Sequence, residues 1–249
     1  MRYLVLSDLH ANLEAVEAVL ADADRRSWDR GVILGDLVGY GADPDAVLDR
    51  VRERRLFQII RGNHDKVVSG VTDGMHFNAL ALAAARWTQQ NLRTDNLSWL
   101  RGLPQGPQRA PDHLDLVLCH GSPVDEETYI LDHESALAAF EEMDFRFCLF
   151  GHTHYPMTIA VGEGDLQVEV PSGEEGGTVR LRAGERYLIN PGSIGQPRDG
   201  NPRACYLILD TEEPAAEFYR VSYAMDKTMA KIIDAGLPAP LALRLARGV

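Results

Sequence analysis

The sequence predicts an α/β fold with a β-rich second half, and three observations predict it. Short apolar runs alternate with amphipathic stretches through the first 150 residues. Beyond residue 154, β-like runs separated by Gly-rich turns take over. The residues best suited to holding a metal ion stand just past the apolar runs of the first half.

Taken in order, strands are expected at 3–6, 32–34, 57–60, 114–119 and 147–150. Between the first two, Leu13, Val16, Leu20 and Ala23 recur at helical spacing. Asp43 followed by Pro44 reads as an N-cap and first helical position, with Val47, Leu48 and Val51 forming one apolar face. Both segments read as crossover helices of βα units around a largely parallel sheet. The stretch from about 75 to 103 breaks the rhythm. It is an Ala-rich helical run with Trp87 and Trp99 and no strand, and it reads as a helical insertion. The runs 157–161, 166–170, 178–181, 187–189, 205–209 and 217–221 are expected to form a second sheet rich in hairpins. Segment 171–177 reads as a hairpin tip, and 224–249 as one or two short helices.

A chain of 249 residues that is 45% hydrophobic can bury a core as one domain over 1–249. The opening apolar stretch is too short for a signal peptide, and no run approaches membrane-spanning length. Cys119, Cys148 and Cys205 lack a Cys-x-x-Cys spacing, so neither a disulfide framework nor a thiolate metal site is expected, and a reducing cytoplasm fits. A net charge of −12 disfavours sequence-independent binding to a nucleic-acid polymer, though not to a small phosphorylated molecule drawn to cations in one cleft.

The expected strands end, in order, at Asp8 with His10, at Asp36, at Asn63 with His64, at His120, and at His152 with His154. Side chains just past the carboxyl ends of parallel strands converge on one crevice, so residues remote in sequence can share a site. Gly35-Asp36 and Gly62-Asn63 are ordinary turn dipeptides, and one histidine alone is more often a satisfied polar residue than a ligand. Chance turn chemistry does not explain why the whole set falls at strand ends. Imidazoles, carboxylates and one amide oxygen suit Mn, Fe or Zn. Two such ions about 3.5–4 Å apart need a bridging group, for which Asp36 is the candidate, and can clamp an in-line displacement at phosphorus.

Asp8-Leu9-His10, Gly35-Asp36, Gly62-Asn63-His64-Asp65, His120 after a strand and Gly151-His152-Thr153-His154 resemble the calcineurin-like metallophosphoesterase superfamily. Asn190-Pro191-Gly192-Ser193 is similar to a turn of its small bacterial and archaeal phosphodiesterase-type members, so the resemblance runs from residue 5 to about 195. It implies an αββα sandwich of two mixed β-sheets flanked by helices, with two divalent cations as cofactors. Asp8, His10, Asp36 and His154 would hold one ion, and Asp36, Asn63, His120 and His152 the other. A metal-bridging hydroxide would attack phosphorus, with His64 as the catalytic residue that protonates the leaving oxygen or stabilises its charge.

The sequence also departs from the pattern. The superfamily's Ser/Thr protein phosphatases carry an acid and an arginine after Gly-Asp, where this chain has Gly39 and Tyr40. Without that guanidinium, nucleotide or diester substrates are favoured over phosphoproteins. Tyr40 is a candidate to border the leaving-group pocket, or to pack beside it. Further candidate substrate contacts are Arg61, His76, Asn78 and Arg198, although Arg61 reads better as structural, and Asn190 is expected to shape its turn and support the ligands. His113 and His133 read as structural.

The expected function is metal-dependent hydrolysis of phosphoester or phosphoanhydride bonds in a small substrate, with nucleotides or dinucleoside polyphosphates favoured. A protein Ser/Thr phosphatase is the alternative enzyme. A catalytically inactive scaffold, as some relatives are, would show a degraded ligand set, whereas here every expected ligand is present. The sequence assigns no oligomeric state.

Overall fold

The computed structural model describes residues 1–54, 57–110, 112–162, 165–171 and 173–249. In chain order the first half holds β1 (Arg2–Leu6), α1 (Leu13–Ala23), β2 (Arg30–Ile33), α2 (Pro44–Arg52), β3 (Phe57–Ile59), α3 (Asn63–Val68), α4 (Ala79–Asn91), α5 (Thr94–Arg101), β4 (Gln108–Ala110), β5 (His113–Leu118), α6 (His133–Glu142) and β6 (Phe147–Leu149). The second half holds β7 (Met157–Val161), β8 (Gln167–Glu169), β9 (Gly176–Arg180), β10 (Arg186–Asn190), β11 (Ala204–Asp210), β12 (Ala215–Val221), α7 (Met225–Asp234), α8 (Ala239–Leu243) and a final 3₁₀ turn, Leu245–Arg247.

Two mixed six-stranded sheets result, ordered β3-β2-β1-β11-β12-β9 and β4-β5-β6-β10-β7-β8. The αββα expectation holds, but the expected division into an early sheet and a later one does not. The five expected early strands divide three to two between the sheets, and the later strands complete both as antiparallel neighbours, except that β10 joins β6 in parallel. The reason lies in the alternation of buried side chains. Leu4, Leu6, Ile33, Tyr206 and Ile208 face one helical layer, while Tyr3, Val5, Val32, Leu34, Leu207 and Leu209 face the other sheet. On the second sheet Leu116, Leu118, Phe147 and Leu149 point inward, and Val117, Cys148 and Phe150 meet Ala136, Ala139 and Phe140 of α6. Strands apolar on both faces belong between a helix layer and another sheet, and each fully buried side chain contributes about 1.5–3 kcal/mol. Apolar runs predict such strands without saying which of two sheets each one joins.

The expected helical run at 75–103 is two helices. Asn78 starts α4, its side-chain oxygen accepting from Leu80 N and Ala81 N at 3.1 and 3.0 Å. The chain turns extended at Leu92 because Arg93 is held elsewhere: its amide donates to Asp45, and its guanidinium reaches Asp49 at 2.6 Å. Asp43 occupies the N-cap position of α2 without a side-chain cap bond, pairing instead with Lys231 of α7 at 2.7 Å. Of the expected tip at 171–177, residue 172 lies outside the described residues, and Gly173 bridges to Gly176. None of the helices is long and apolar enough to cross a membrane, among the described residues.

Candidate metal centre and its cleft

The structure brings all eight strand-end residues together. Asp8 and His10 follow β1, Asp36 follows β2, and Asn63 and His64 open α3 after β3, while His120 follows β5 and His152 with His154 follow β6. Asp8, His10, Asp36, His64, His120, His152 and His154 are each at most 4% exposed. The turns that carry them are bonded to one another. Asp8 N donates to Gly35 O at 3.1 Å, His10 N to Asp36 O at 2.9 Å, and Gly151 N to His120 O at 2.8 Å. Gly62 is required by close approach, because a Cβ there would lie 2.1 Å from Asp36 Oδ1. Asp65 binds two turns at once, accepting from Leu37 N, Val38 N and Gly62 N at 2.9, 3.2 and 2.9 Å.

Among the described residues, the non-glycine positions in the left-handed backbone region are Asp8, His10, Ala11, Asp36, Tyr40, His152 and His154. Each such position costs about 1–3 kcal/mol and persists only where its surroundings over-determine it. Here that strain collects in one place and turns five of the expected ligands toward a common point.

The imidazoles are oriented by their other nitrogen. His10 Nδ1 meets Val38 O at 3.2 Å, His120 Nδ1 meets Leu34 O at 2.7 Å, and His154 Nδ1 meets Gln196 O at 2.5 Å. A carbonyl can only accept, so each Nδ1 carries the proton and each Nε2 presents a lone pair inward when the ring is neutral. His10 Nε2 and His154 Nε2 then face each other at 3.1 Å. Two lone pairs do not attract, and a cation is the partner that satisfies both. Asp8 Oδ1 lies 3.3 Å from His154 Nε2, and Asp36 Oδ2 lies 3.7 Å from His10 Nε2 and 3.5 Å from His120 Nε2. Asn63 Oδ1 is 3.1 Å from His120 Nε2. Asp8 Oδ2 and His152 Nε2 are buried without a hydrogen-bond partner. Three groups have ligand atoms close enough to share an ion: Asp8, His10 and His154; His10, Asp36 and His64; and Asp36, His120 and His152. Asp36 belongs to two of them.

Charge follows the same plan. Burial holds His10 and His154 below the usual imidazole range, His64 to about 4 and His152 to about 3, leaving them neutral at pH 7 as ligation requires. Burial also disfavours a charged His120, but the Asp36 carboxylate outweighs it and raises His120 to about 10. Asp36 itself stays well below the usual carboxylate range despite burial, through His120, His64 and His10. The carboxylate therefore draws positive charge to its side of the site. Burial and the Asp36 charge push Asp65 up to about 7, against its amide donors.

Above this floor lies a cleft of about 180 Å³, whose walls include Tyr40, Phe77, Asn78, Glu127, Tyr129 and Arg198. The match to the calcineurin-like phosphoesterase superfamily domain covers residues 1–214. The chain belongs to this superfamily. It is 35% identical to protein MJ0912 of Methanocaldococcus jannaschii over 245 residues, 98% of this chain and 97% of that protein. It is similar to the metallophosphoesterase of Sphaerobacter thermophilus, at 38% identity and a TM-score of 0.85 covering 100% of this chain and 99% of that one. Phosphodiesterase YfcE of Escherichia coli K12 is 26% identical over 221 residues, 85% of this chain and 89% of that protein. This superfamily member is accordingly a metal-dependent phosphoesterase.

The expected substrate contacts divide. Tyr40, His76, Asn78 and Arg198 line the cleft. Arg61 is not among its lining residues, because its guanidinium is held by Glu126 at 3.2 Å and Gln105 at 2.7 Å. Asn78 is also a helix cap, and Tyr40 both borders the cleft and packs with Leu241 and Leu245 of the C-terminal segment. Asn190 donates to Gly151 O at 2.8 Å and Thr153 Oγ1 at 3.0 Å, so it steadies the turn that carries His152 and His154. Sequence reading missed Phe77, whose ring lies 4.6 Å from His64, and Tyr129, stacked on His152 at 3.8 Å. Phe77 stands between two residues singled out for polarity, and Tyr129 lies in a loop whose course no periodicity predicts. Gly39, where the protein phosphatases have an acid, lies under His64, and a Cβ there would be 2.4 Å from His64 Nδ1.

Proposed function

We propose that this chain hydrolyses phosphodiester or phosphoanhydride bonds in small nucleotide-type substrates, using two divalent cations (Mn, Fe, Zn or a mixture). The observation that carries the reading is the pair of facing Nε2 atoms of His10 and His154, with Asp36 reaching from their side to His120. Asp8, His10, Asp36 and His154 would hold one ion, and Asp36, Asn63, His120 and His152 the other. When bound, the cations neutralise phosphoryl charge and lower the pKa of water at the reacting centre. Asp36 fixes the spacing of the two halves. His64, wedged among His10, Tyr40 and Phe77, is placed to hydrogen-bond the leaving oxygen while neutral, and when protonated to pass it that proton as the P–O bond breaks and the elements of water are added. An arriving phosphate raises the His64 pKa and favours that role.

The diester preference rests on Tyr40 standing where protein phosphatases have an arginine, and on similarity to a protein named as a phosphodiesterase. The deciding experiment is a panel of a nucleotide diester, a dinucleoside polyphosphate and a phosphopeptide, assayed with added manganese. Turnover of one of the nucleotides is expected, and fast turnover of the phosphopeptide alone overturns the preference.

A further inference from the structure

The C-terminal segment lies beyond the family match at 1–214, yet it packs on Tyr40, which lines the cleft. Its Arg244 guanidinium stands 6.0 Å from the centre of the Tyr40 ring, which also neighbours the rings of His64 at 4.4 Å and His10 at 4.6 Å. Tyr40 is therefore a shared neighbour of the proposed catalytic histidine and this arginine. Arg244 and Arg247 line a second hollow of about 480 Å³ with the apolar Leu80, Pro240 and Leu243. Asn78 lines both this hollow and the cleft, so the two adjoin. Arg198 enters from the cleft side, with its Nε buried and without a partner.

These cations are not neutralised in the expected way. Arg198 bonds to the Gln196 side-chain oxygen at 3.3 Å and lies beside the Tyr129 hydroxyl, and Arg244 bonds to Val249 O at 2.5 Å. Burial and the charge of Arg198 both lower the Arg244 pKa, so the two guanidinium groups oppose each other. The chain has 37 acidic residues, yet no Asp or Glu side chain is bonded to either guanidinium among the described residues, and the partner of Arg244 is the last residue, Val249. A phosphate dianion bridging two guanidinium forks would relieve that opposition, with apolar surface alongside for an organic body.

We propose that Arg244 and Arg247, with Arg198 at the inner edge, form a second phosphate subsite, selecting nucleotides that carry a phosphate remote from the scissile one. The subsite rests on the phosphoesterase reading of the adjoining cleft. The test uses the full chain with manganese and two chromogenic substrates, thymidine 5′-(p-nitrophenyl phosphate) and the same ester bearing a 3′-phosphate. The 3′-phosphorylated ester is expected to be preferred in kcat/KM by roughly tenfold or more, mainly through KM, and less so at high salt. Arg244→Gln and Arg247→Gln should each shrink that ratio, and Arg244→Lys should restore part of it. Arg247→Gln keeps the test independent of any disturbance to the Arg244–Val249 contact. Turnover of both esters with equal kcat/KM, or a preference untouched by all three variants, overturns the subsite alone. Inertness of both esters and of bis(p-nitrophenyl) phosphate overturns the phosphoesterase reading and the subsite with it.

Discussion

The floor and the rim of the cleft are built on opposite principles. Floor residues are buried, five of the eight lie in the left-handed region, and backbone bonds tie their turns together, with three of the imidazoles anchored through Nδ1 to a carbonyl. Rim residues come from the start of α4, the loop with Glu127 and Tyr129 and the loop at 195–200, and an aromatic and aliphatic cluster around Tyr40 joins α4 to the C-terminal segment. The floor holds lone pairs and carboxylates in a fixed arrangement, which suits ions that demand set distances. The rim offers aromatic faces and guanidinium forks on separate elements, which suits a substrate that varies in shape. Chemistry and selectivity are thereby assigned to structures that can change independently.

The sharpest way to break this division is to attack the floor. Asp36→Asn should lower affinity for both ions by at least about 100-fold and bring manganese-stimulated turnover to background, as read by metal titration and hydrolysis rate. Retention of both ions in that variant would remove Asp36 from the bridging position. His64→Ala comes next: metal content should stay, while kcat falls by about 10²–10⁴. If kcat were unchanged, His64 would belong to the wall alone. Gly39→Ala places a Cβ 2.4 Å from His64 Nδ1 at a backbone φ of +88°, so the imidazole must move. A fall in kcat of about 10- to 100-fold with metal affinity preserved is expected, since small displacements of a positioned group carry penalties of that size. The smallest effect belongs to the rim. Asn78→Ala removes the two cap bonds of α4 and should lower stability by about 1 kcal/mol in denaturant titration, raising KM more than it lowers kcat. Equal losses in kcat and metal affinity there would show that floor and rim are coupled.

The floor was legible in the sequence because each candidate ligand sits within a few residues of the end of an apolar strand, and both that position and the residue type survive as text. The rim was legible only in part. Arg61 and Arg198 look alike as loop arginines, and what separates them is that Glu126 and Gln105 lie beside one and not the other. Phe77 and Tyr129 reach the cleft, and Arg244 the adjoining hollow, through the course of loops and a terminal segment, which hydrophobic periodicity does not encode. The break between α4 and α5 has the same origin, since nothing local stops the helix at Leu92. Asp45 and Asp49, more than forty residues earlier, hold Arg93 there.

By itself the sequence placed five of the six first-half strands along the chain and named seven candidate metal-holding side chains with a histidine beside them, because short-range patterning and residue chemistry suffice for these. Only the tertiary structure decided how the strands divide between two sheets, which nitrogen of His10, His120 and His154 faces inward, and which arginines border the cleft. Each of those depends on what lies opposite, and that is set by long-range pairing and packing rather than by neighbours along the chain.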